Sequence, residues 1–237
     1  MSLLRVENVT KKFGGIIANQ DISFHVGAGQ IVGLIGPNGA GKTTMFNAIA
    51  GSAAPTSGDI WLEGRNISGL TPEQCARAGI GRTFQVARTF TSMTAQENVM
   101  VGCFLKDRGV RHARRDAPAL LEFVNLARHA DRAAGSMTIS EQRRLAVARA
   151  LAVQPRLLLM DEVMAGLNPT EVKDMVEVVL KIRARGIACL IVVHVLEGIM
   201  PIADAIVVLD YGKKIAEGTP QQVSVDPKVI AAYLGDE

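Results

Sequence analysis

The segment Gly36-Pro37-Asn38-Gly39-Ala40-Gly41-Lys42-Thr43 constrains this chain more than any other stretch. It has the spacing GxxxxGK[ST], and a second threonine, Thr44, follows it. The run before it, Ile31-Val32-Gly33-Leu34-Ile35, is apolar and reads as a buried strand, and Lys42 to Ala50 reads as a helix. A strand that turns through glycines into a helix leaves successive backbone N–H groups pointing into the turn. The helix adds the positive end of its dipole at the same place. Such a loop holds phosphate oxygens. Lys42 is suited to neutralise the β- and γ-phosphates of a nucleoside triphosphate, and the Thr43 hydroxyl to hold Mg²⁺. The competing reading is a plain glycine-rich strand-to-helix turn, which would need the spacing and both flanks to coincide by chance.

Further along, strands alternate with helices. Leu4 to Val9, Asp21 to Val26 and Gly58 to Leu62 read as strands near the N-terminus, and Thr71-Pro72-Glu73 as a capped helix start. The stretch from about 86 to 153 reads as mostly helical and polar, with helices at Val99–Leu105, Ala117–Ala127 and Glu141–Val153, a small helical subdomain set into the core. Then come a buried strand at Leu157–Asp161, a long helix at Thr170–Arg185 and an apolar strand at Ala188–Val193. This alternation predicts one α/β domain over residues 1–237, with a mostly parallel sheet and antiparallel strands at its N-terminal side.

Two further strand ends carry candidate chemistry. Leu157-Leu158-Leu159-Met160-Asp161-Glu162 places two acids at the C-terminal edge of a strand, where open α/β sheets bind ligands. Asp161 suits a Mg²⁺ ion, and Glu162 suits the orientation or deprotonation of an attacking water. By itself the pair is as well read as an ordinary Asp-Glu strand end; beside the phosphate loop it reads as catalytic. His194 ends Leu190-Ile191-Val192-Val193. A lone histidine there is more often structural, but a strand end of the same sheet brings it toward the γ-phosphate.

Composition narrows the partners. Lys and Arg total 26 against 23 Asp and Glu, a net charge of +3, too small an excess to argue for nucleic acid. The basic residues cluster at Arg108–Arg115, read as a solvated helix face or loop, with a polyanion or lipid headgroup as the lesser alternative. Cys75, Cys103 and Cys189 form no CxxC pair, which fits a reduced, cytoplasmic setting. The N-terminus has no signal-peptide pattern, and no run reaches the roughly 18 apolar residues of a membrane span. Any spanning part is expected on another chain.

The loop, the Asp161-Glu162 and His194 strand ends, Gln85 in Gly79-Ile80-Gly81-Arg82-Thr83-Phe84-Gln85, and the segment Glu141 to Leu151 together resemble the nucleotide-binding subunit of ABC transporters. Lys11-Lys12-Phe13-Gly14-Gly15, Val163 to Pro169 and Leu209 to Pro220 look more narrowly like the ATPase subunits of branched-chain amino-acid importers. The resemblance implies ATP and Mg²⁺ as ligands, with Gly36 to Thr44 around the phosphates, Phe13 stacked on adenine and Gln85 on Mg²⁺ or the attacking water. Without the resemblance, Phe13 reads as a core residue of an N-terminal strand. It also implies a second ATPase subunit, identical or different, separate permease subunits, a solute-binding protein, and a place on the inner face of the cell membrane. Gly166-Leu167-Asn168 matches the loop that crosses to the second ATPase.

Two positions depart from the family pattern. Met137-Thr138-Ile139-Ser140-Glu141-Gln142 aligns with the signature that binds the γ-phosphate held by the other chain, and Ser140 stands where glycine is expected. Its side chain either crowds that phosphate or serves as an N-cap whose hydroxyl joins the anion site. Val193 replaces the glutamate that often precedes the histidine. The rival readings are an ABC ATPase without a transporter, which usually carries two cassettes or a coiled-coil insert, and a regulatory module that holds nucleotide without turnover. Replacing Lys42 with alanine removes the fixed cation of the loop. ATP hydrolysis by the purified chain, followed as phosphate release, should fall by roughly 100-fold or more, and nucleotide affinity should fall with it.

Overall fold

The computed structural model describes residues 2–84, 89–106, 109–193 and 196–234. Its strands in chain order are β1 (Ser2–Phe13), β2 (Ile16–Gly27), β3 (Ile31–Ile35), β4 (Ser57–Leu62), β5 (Arg65–Asn66), β6 (Ile80–Arg82), β7 (Leu157–Asp161), β8 (Ala188–Val192), β9 (Ala205–Asp210) and β10 (Lys213–Gly218). The helices are α1 (Lys42–Ile49), α2 (Pro72–Ala78), α3 (Ala95–Cys103), α4 (Gly109–Phe123), α5 (Ile139–Ala152), α6 (Pro169–Ala184), α7 (Leu196–Ile199), α8 (Pro220–Ser224) and α9 (Pro227–Leu234). One sheet, in the order β2-β1-β4-β5, is antiparallel throughout. The other runs β10-β9-β3-β8-β7-β6 and is parallel except for its edge strand β10. The expected α/β fold with N-terminal antiparallel strands is what forms.

The apolar runs are continuous because the larger sheet is covered on both faces. Along β7, Leu157 and Leu159 join one buried cluster while Leu158 and Met160 join the other. β3 splits the same way, with Val32 and Leu34 on one side and Ile31 and Ile35 on the other. The first cluster fills the space between the two sheets. There α1 packs against β2 and β7, and Met45, Phe46 and Ile49 meet Leu4, Ile22 and Ile60. The second cluster joins the opposite face of the sheet to α3, α4, α5 and α6. Burial also makes Cys189 a plain packing residue, since it pushes the thiol pKa up to about 12.

Helix ends differ from expectation where caps decide them. α3 begins at Ala95, ahead of Val99, because Thr94 and Glu97 form a capping box: the Thr94 Oγ1 accepts from Glu97 N at 3.2 Å, and Glu97 Oε2 accepts from Thr94 N at 2.8 Å. α2 starts as expected, on Thr71 with Pro72 at its first position. α4 takes in most of the basic cluster, well before Ala117, and ends at Phe123, two residues before the left-handed Asn125 (φ 59°). It buries Ala113, Ala117 and Leu121 and leaves Arg111, Arg114 and Arg115 exposed, which is the solvated helix face. Phe46 is fully buried at the centre of the inter-sheet core. Phe46→Ala should lower unfolding stability by about 3–5 kcal/mol, read from urea denaturation.

Candidate functional site

The glycine-rich loop is held from behind by backbone contacts that leave no room for side chains. At Gly36 (φ 146°) a Cβ would lie 2.0 Å from the Leu209 carbonyl oxygen. At Gly41 (φ 94°) it would lie 2.3 Å from Asn19 Nδ2 and 2.5 Å from the Ala18 carbonyl oxygen. Asn19, buried in β2, donates to the Gly41 carbonyl at 3.1 Å, and the Gly212 N–H donates to the Ala40 carbonyl at 3.1 Å. Gly41 is the N-cap of α1, with no side-chain cap and no acid in the first turn. The first N–H groups of α1 therefore face outward with no side chain to satisfy them, a ready position for an anion.

Lys42 lies beneath this turn, 5% exposed, and its Nζ donates to the carbonyls of Gly36 at 2.6 Å and Pro37 at 2.8 Å. Burial lowers its pKa, and the charges of Glu162 and Asp161 oppose that shift. The loop opens on a polar cleft of about 690 Å³ lined by Ala18, Asn38 to Thr44, Glu162 and Ala165. A Cβ built on Gly39 would meet nothing within 4 Å, so this wall is open to a ligand. Thr43 is exposed and Thr44 half-buried.

The carboxylates arrive from β7, two strands from β3 with β8 between them. Asp161 is 4% exposed; its N–H donates to Thr83 Oγ1 at 3.1 Å, and its carboxylate lies 3.7 Å from Arg82 Nη2. Arg82 also donates to Asn47 Oδ1 on α1 at 2.8 Å and to Ser52 Oγ at 3.3 Å. It thereby ties β6 and the back of α1 to the acid. Sequence reasoning did not single out Arg82 and Thr83 for this; their position just ahead of Gln85 was the available signal. Glu162 follows in a left-handed conformation, φ 50°, rare for a residue with a side chain. Its N–H donates to the Val192 carbonyl at 3.0 Å, and its own carbonyl accepts from Ala165 N at 3.1 Å and Arg143 Nη1 at 2.6 Å.

One acid, Asp161, and one hydroxyl, Thr43, are hard oxygen donors of the kind Mg²⁺ takes. Among the described residues no group of three or more His, Cys, Asp or Glu comes together. Such a set fits an ion that arrives with phosphates supplying the rest of its shell. Gln85 and His194 lie outside the described residues; β8, which leads to His194, runs between the loop strand and the acid strand, and Val193 at its end is buried.

Phe13 ends β1 at the tip of the β1–β2 hairpin, paired with Ile16. It is 52% exposed, with Lys11 Nζ 4.9 Å from the ring centre. It is not a core residue, and it does not line the cleft, although Ala18 of the same hairpin does. Ser140 is not an N-cap. Thr138 caps α5 in a capping box with Glu141, and Ser140 lies inside the first turn, 4% exposed and away from the cleft. Thr138 precedes Glu141 by three residues, the spacing a capping box needs, whereas Ser140 has no acid or amide three residues on. Asn168 caps α6, accepting from Glu171 N at 3.0 Å.

Gly41→Ala forces a Cβ into Asn19 and the Ala18 carbonyl at the point where the loop becomes α1. Nucleotide affinity, measured by calorimetry or a fluorescent analogue, should drop by about tenfold or more, with the sheet core intact by circular dichroism.

Comparison with known proteins identifies the family. The family described as ABC transporter matches residues 19–165, and that described as branched-chain amino acid ATP-binding cassette transporter matches residues 213–237. The high-affinity branched-chain amino acid transport ATP-binding protein BraF of Pseudomonas aeruginosa is 41% identical, covering 99% of this chain and 98% of its own length. The structure is similar to the ADP conformation of MJ1267, an ATP-binding cassette of an ABC transporter, with a TM-score of 0.91 and 32% identity over the full length of both chains. It also resembles the dimeric cassette MJ0796, at a TM-score of 0.83 and 27% identity over 92% of this chain and 98% of that one. Among the described residues no helix is long and apolar enough to cross a membrane. A phosphate loop curled onto an uncapped helix end, two acids on a nearby strand end and a family match over most of the chain lead to one conclusion: the chain belongs to the ABC transporter family, as one of its ATP-binding cassette ATPases.

Proposed function

We propose that this chain hydrolyses ATP to power import of branched-chain or related amino acids through separate membrane subunits. The observation that carries the reading is that Glu162 lines the same cleft as Lys42 and the open N-terminus of α1. The amino-acid class is supported by the match of residues 213–237 and by the likeness to BraF.

In this reading the N–H groups of Gly36 and of Asn38 to Thr44 cradle the phosphates, and Lys42 leaves the Gly36 and Pro37 carbonyls to meet the β- and γ-phosphate oxygens. Phe13 stacks on adenine from the hairpin tip. Thr43, Asp161 and Gln85 would hold Mg²⁺, which would supply charge neutralisation at the phosphate oxygens when it binds with ATP. Arg82 fixes Asp161 for that task. Glu162 takes the proton of the attacking water as its oxygen bonds to the γ-phosphorus, and the bond to the β-γ bridging oxygen breaks to give ADP and phosphate. His194 and Gln85 orient the γ-phosphate and the water.

The cleft is open to solvent, and Ser140 lies outside it. A second cassette, identical or different, supplies its own signature turn there, as the dimeric cassette MJ0796 suggests. Ser140 of this chain then serves the partner's nucleotide. The whole chain acts as one domain, with the helices of residues 86–153 as its signature-bearing part. Closing and opening of the dimer is a rigid-body change able to drive permease subunits at the inner face of the cell membrane, with a solute-binding protein delivering the amino acid.

Glu162→Gln keeps shape and hydrogen bonding but removes the base. This variant should bind ATP, lose hydrolysis by roughly 100-fold or more, and collect as an ATP-bound dimer on a sizing column. Hydrolysis at the parent rate would remove Glu162 from the role of base. Uptake of labelled leucine by vesicles carrying the chain with its permease tests the transport half, and uptake indifferent to ATP would refute it.

A further inference from the structure

The first turn of α5 reaches the catalytic acid of its own chain. Thr138 and Glu141 cap it reciprocally, at 3.2 and 2.8 Å, and Gln142 Nε2 donates to the carbonyls of Ala134 and Met137, each at 3.2 Å. Glu141 is further braced by His129 at 3.3 Å and Arg132 at 3.4 Å. The next residue, Arg143, extends from this pinned turn, and its Nη1 donates to the Glu162 carbonyl at 2.6 Å. A guanidinium on a carbonyl is a charge-assisted bond, stronger than one between neutral groups.

The recipient is an unusual peptide. Glu162 has φ 50°, a region that an L side chain occupies only when its surroundings over-determine it. Its N–H is held by the Val192 carbonyl of β8, and its carbonyl by Ala165 N and Arg143. Of these, only Arg143 comes from outside the sheet edge and the turn that follows β7. This backbone conformation sets the direction in which the Glu162 side chain leaves the strand and enters the cleft. We propose that Arg143 is a positioning residue for hydrolysis, which holds the Glu162 peptide in its left-handed conformation and so aims the carboxylate at the attacking water. The proposal rests on the reading of Glu162 as the base.

The test uses the full chain, with whichever second cassette it pairs, and compares Arg143→Lys with Arg143→Met. Both keep the aliphatic stem, and only lysine keeps a cationic donor. Arg143→Met should lower kcat by about 10- to 100-fold, the range a misplaced catalytic group costs, while the directly measured Kd for ATP and the thermal midpoint stay near the parent values. Arg143→Lys should recover a substantial part of kcat. Equal kcat for the two variants, or a loss confined to ATP affinity, overturns the proposal. If Arg143→Met does not fold, the lysine variant against Arg143→Gln decides by the same measure. Glu162→Gln run beside them separates the two ideas. If it hydrolyses ATP at the parent rate, the base reading falls. If it is inactive while Arg143→Met keeps the parent kcat, the positioning proposal alone falls.

Discussion

Burial of α1 between the two sheets is the constraint on which the rest depends. Met45, Phe46 and Ile49 are fully buried against β-strands on both sides, so sliding or tilting the helix would open the core. Its N-terminus is therefore fixed at the end of β3, and the six residues between have to close a tight turn. That turn leaves the first N–H groups of α1 unpaired by side chains and places Lys42 under the loop. A buried lysine is costly unless its donors are met. Two loop carbonyls meet them here, and these are bonds that phosphate oxygens are able to replace.

The same packing brings the acids to the loop. Because β8 lies between β3 and β7, the Asp161-Glu162 strand end and the phosphate loop share one edge of the sheet. The two acids sit in different surroundings. Asp161 is buried beside Arg82, whose other hydrogen bonds reach back to α1 and the segment after it. Glu162 is turned out of the strand by its left-handed backbone, is partly exposed, and lines the cleft. Adjacent residues in a strand normally face opposite sides of a sheet; the left-handed φ at Glu162 accompanies a side chain that lines the cleft.

Some of this was legible in the sequence because it is local. The spacing of Gly36, Gly41 and Lys42 follows from what a loop around phosphate needs, and the short apolar run before it has the length and composition of a strand buried on both faces. The start of α2 at Pro72 was equally local, since Thr71 and Gln74 satisfy each other across one turn. The cap of α5 is less legible, because Ser140 and Thr138 are both hydroxyl residues near the boundary, and the N-cap is Thr138. Only the partner three residues on distinguishes them. Phe13 was ambiguous between core and surface, as a strand-end aromatic is until the neighbouring sheet is known, and the hairpin leaves it exposed.

The sequence by itself determined the chemistry available: a phosphate loop with its lysine, two acids in succession, and an order of motifs that marked the family. It determined these because each rests on residues close together in the chain, where covalent spacing sets geometry. The tertiary structure alone decided which distant groups touch the residues of these motifs. Arg82 on Asp161, Asn19 behind Gly41 and Arg143 on the Glu162 carbonyl join residues 79, 22 and 19 positions apart. No local periodicity encodes such contacts. They exist because two sheets and a bundle of helices had to bury their apolar faces together, and that packing chose which polar side chains would meet.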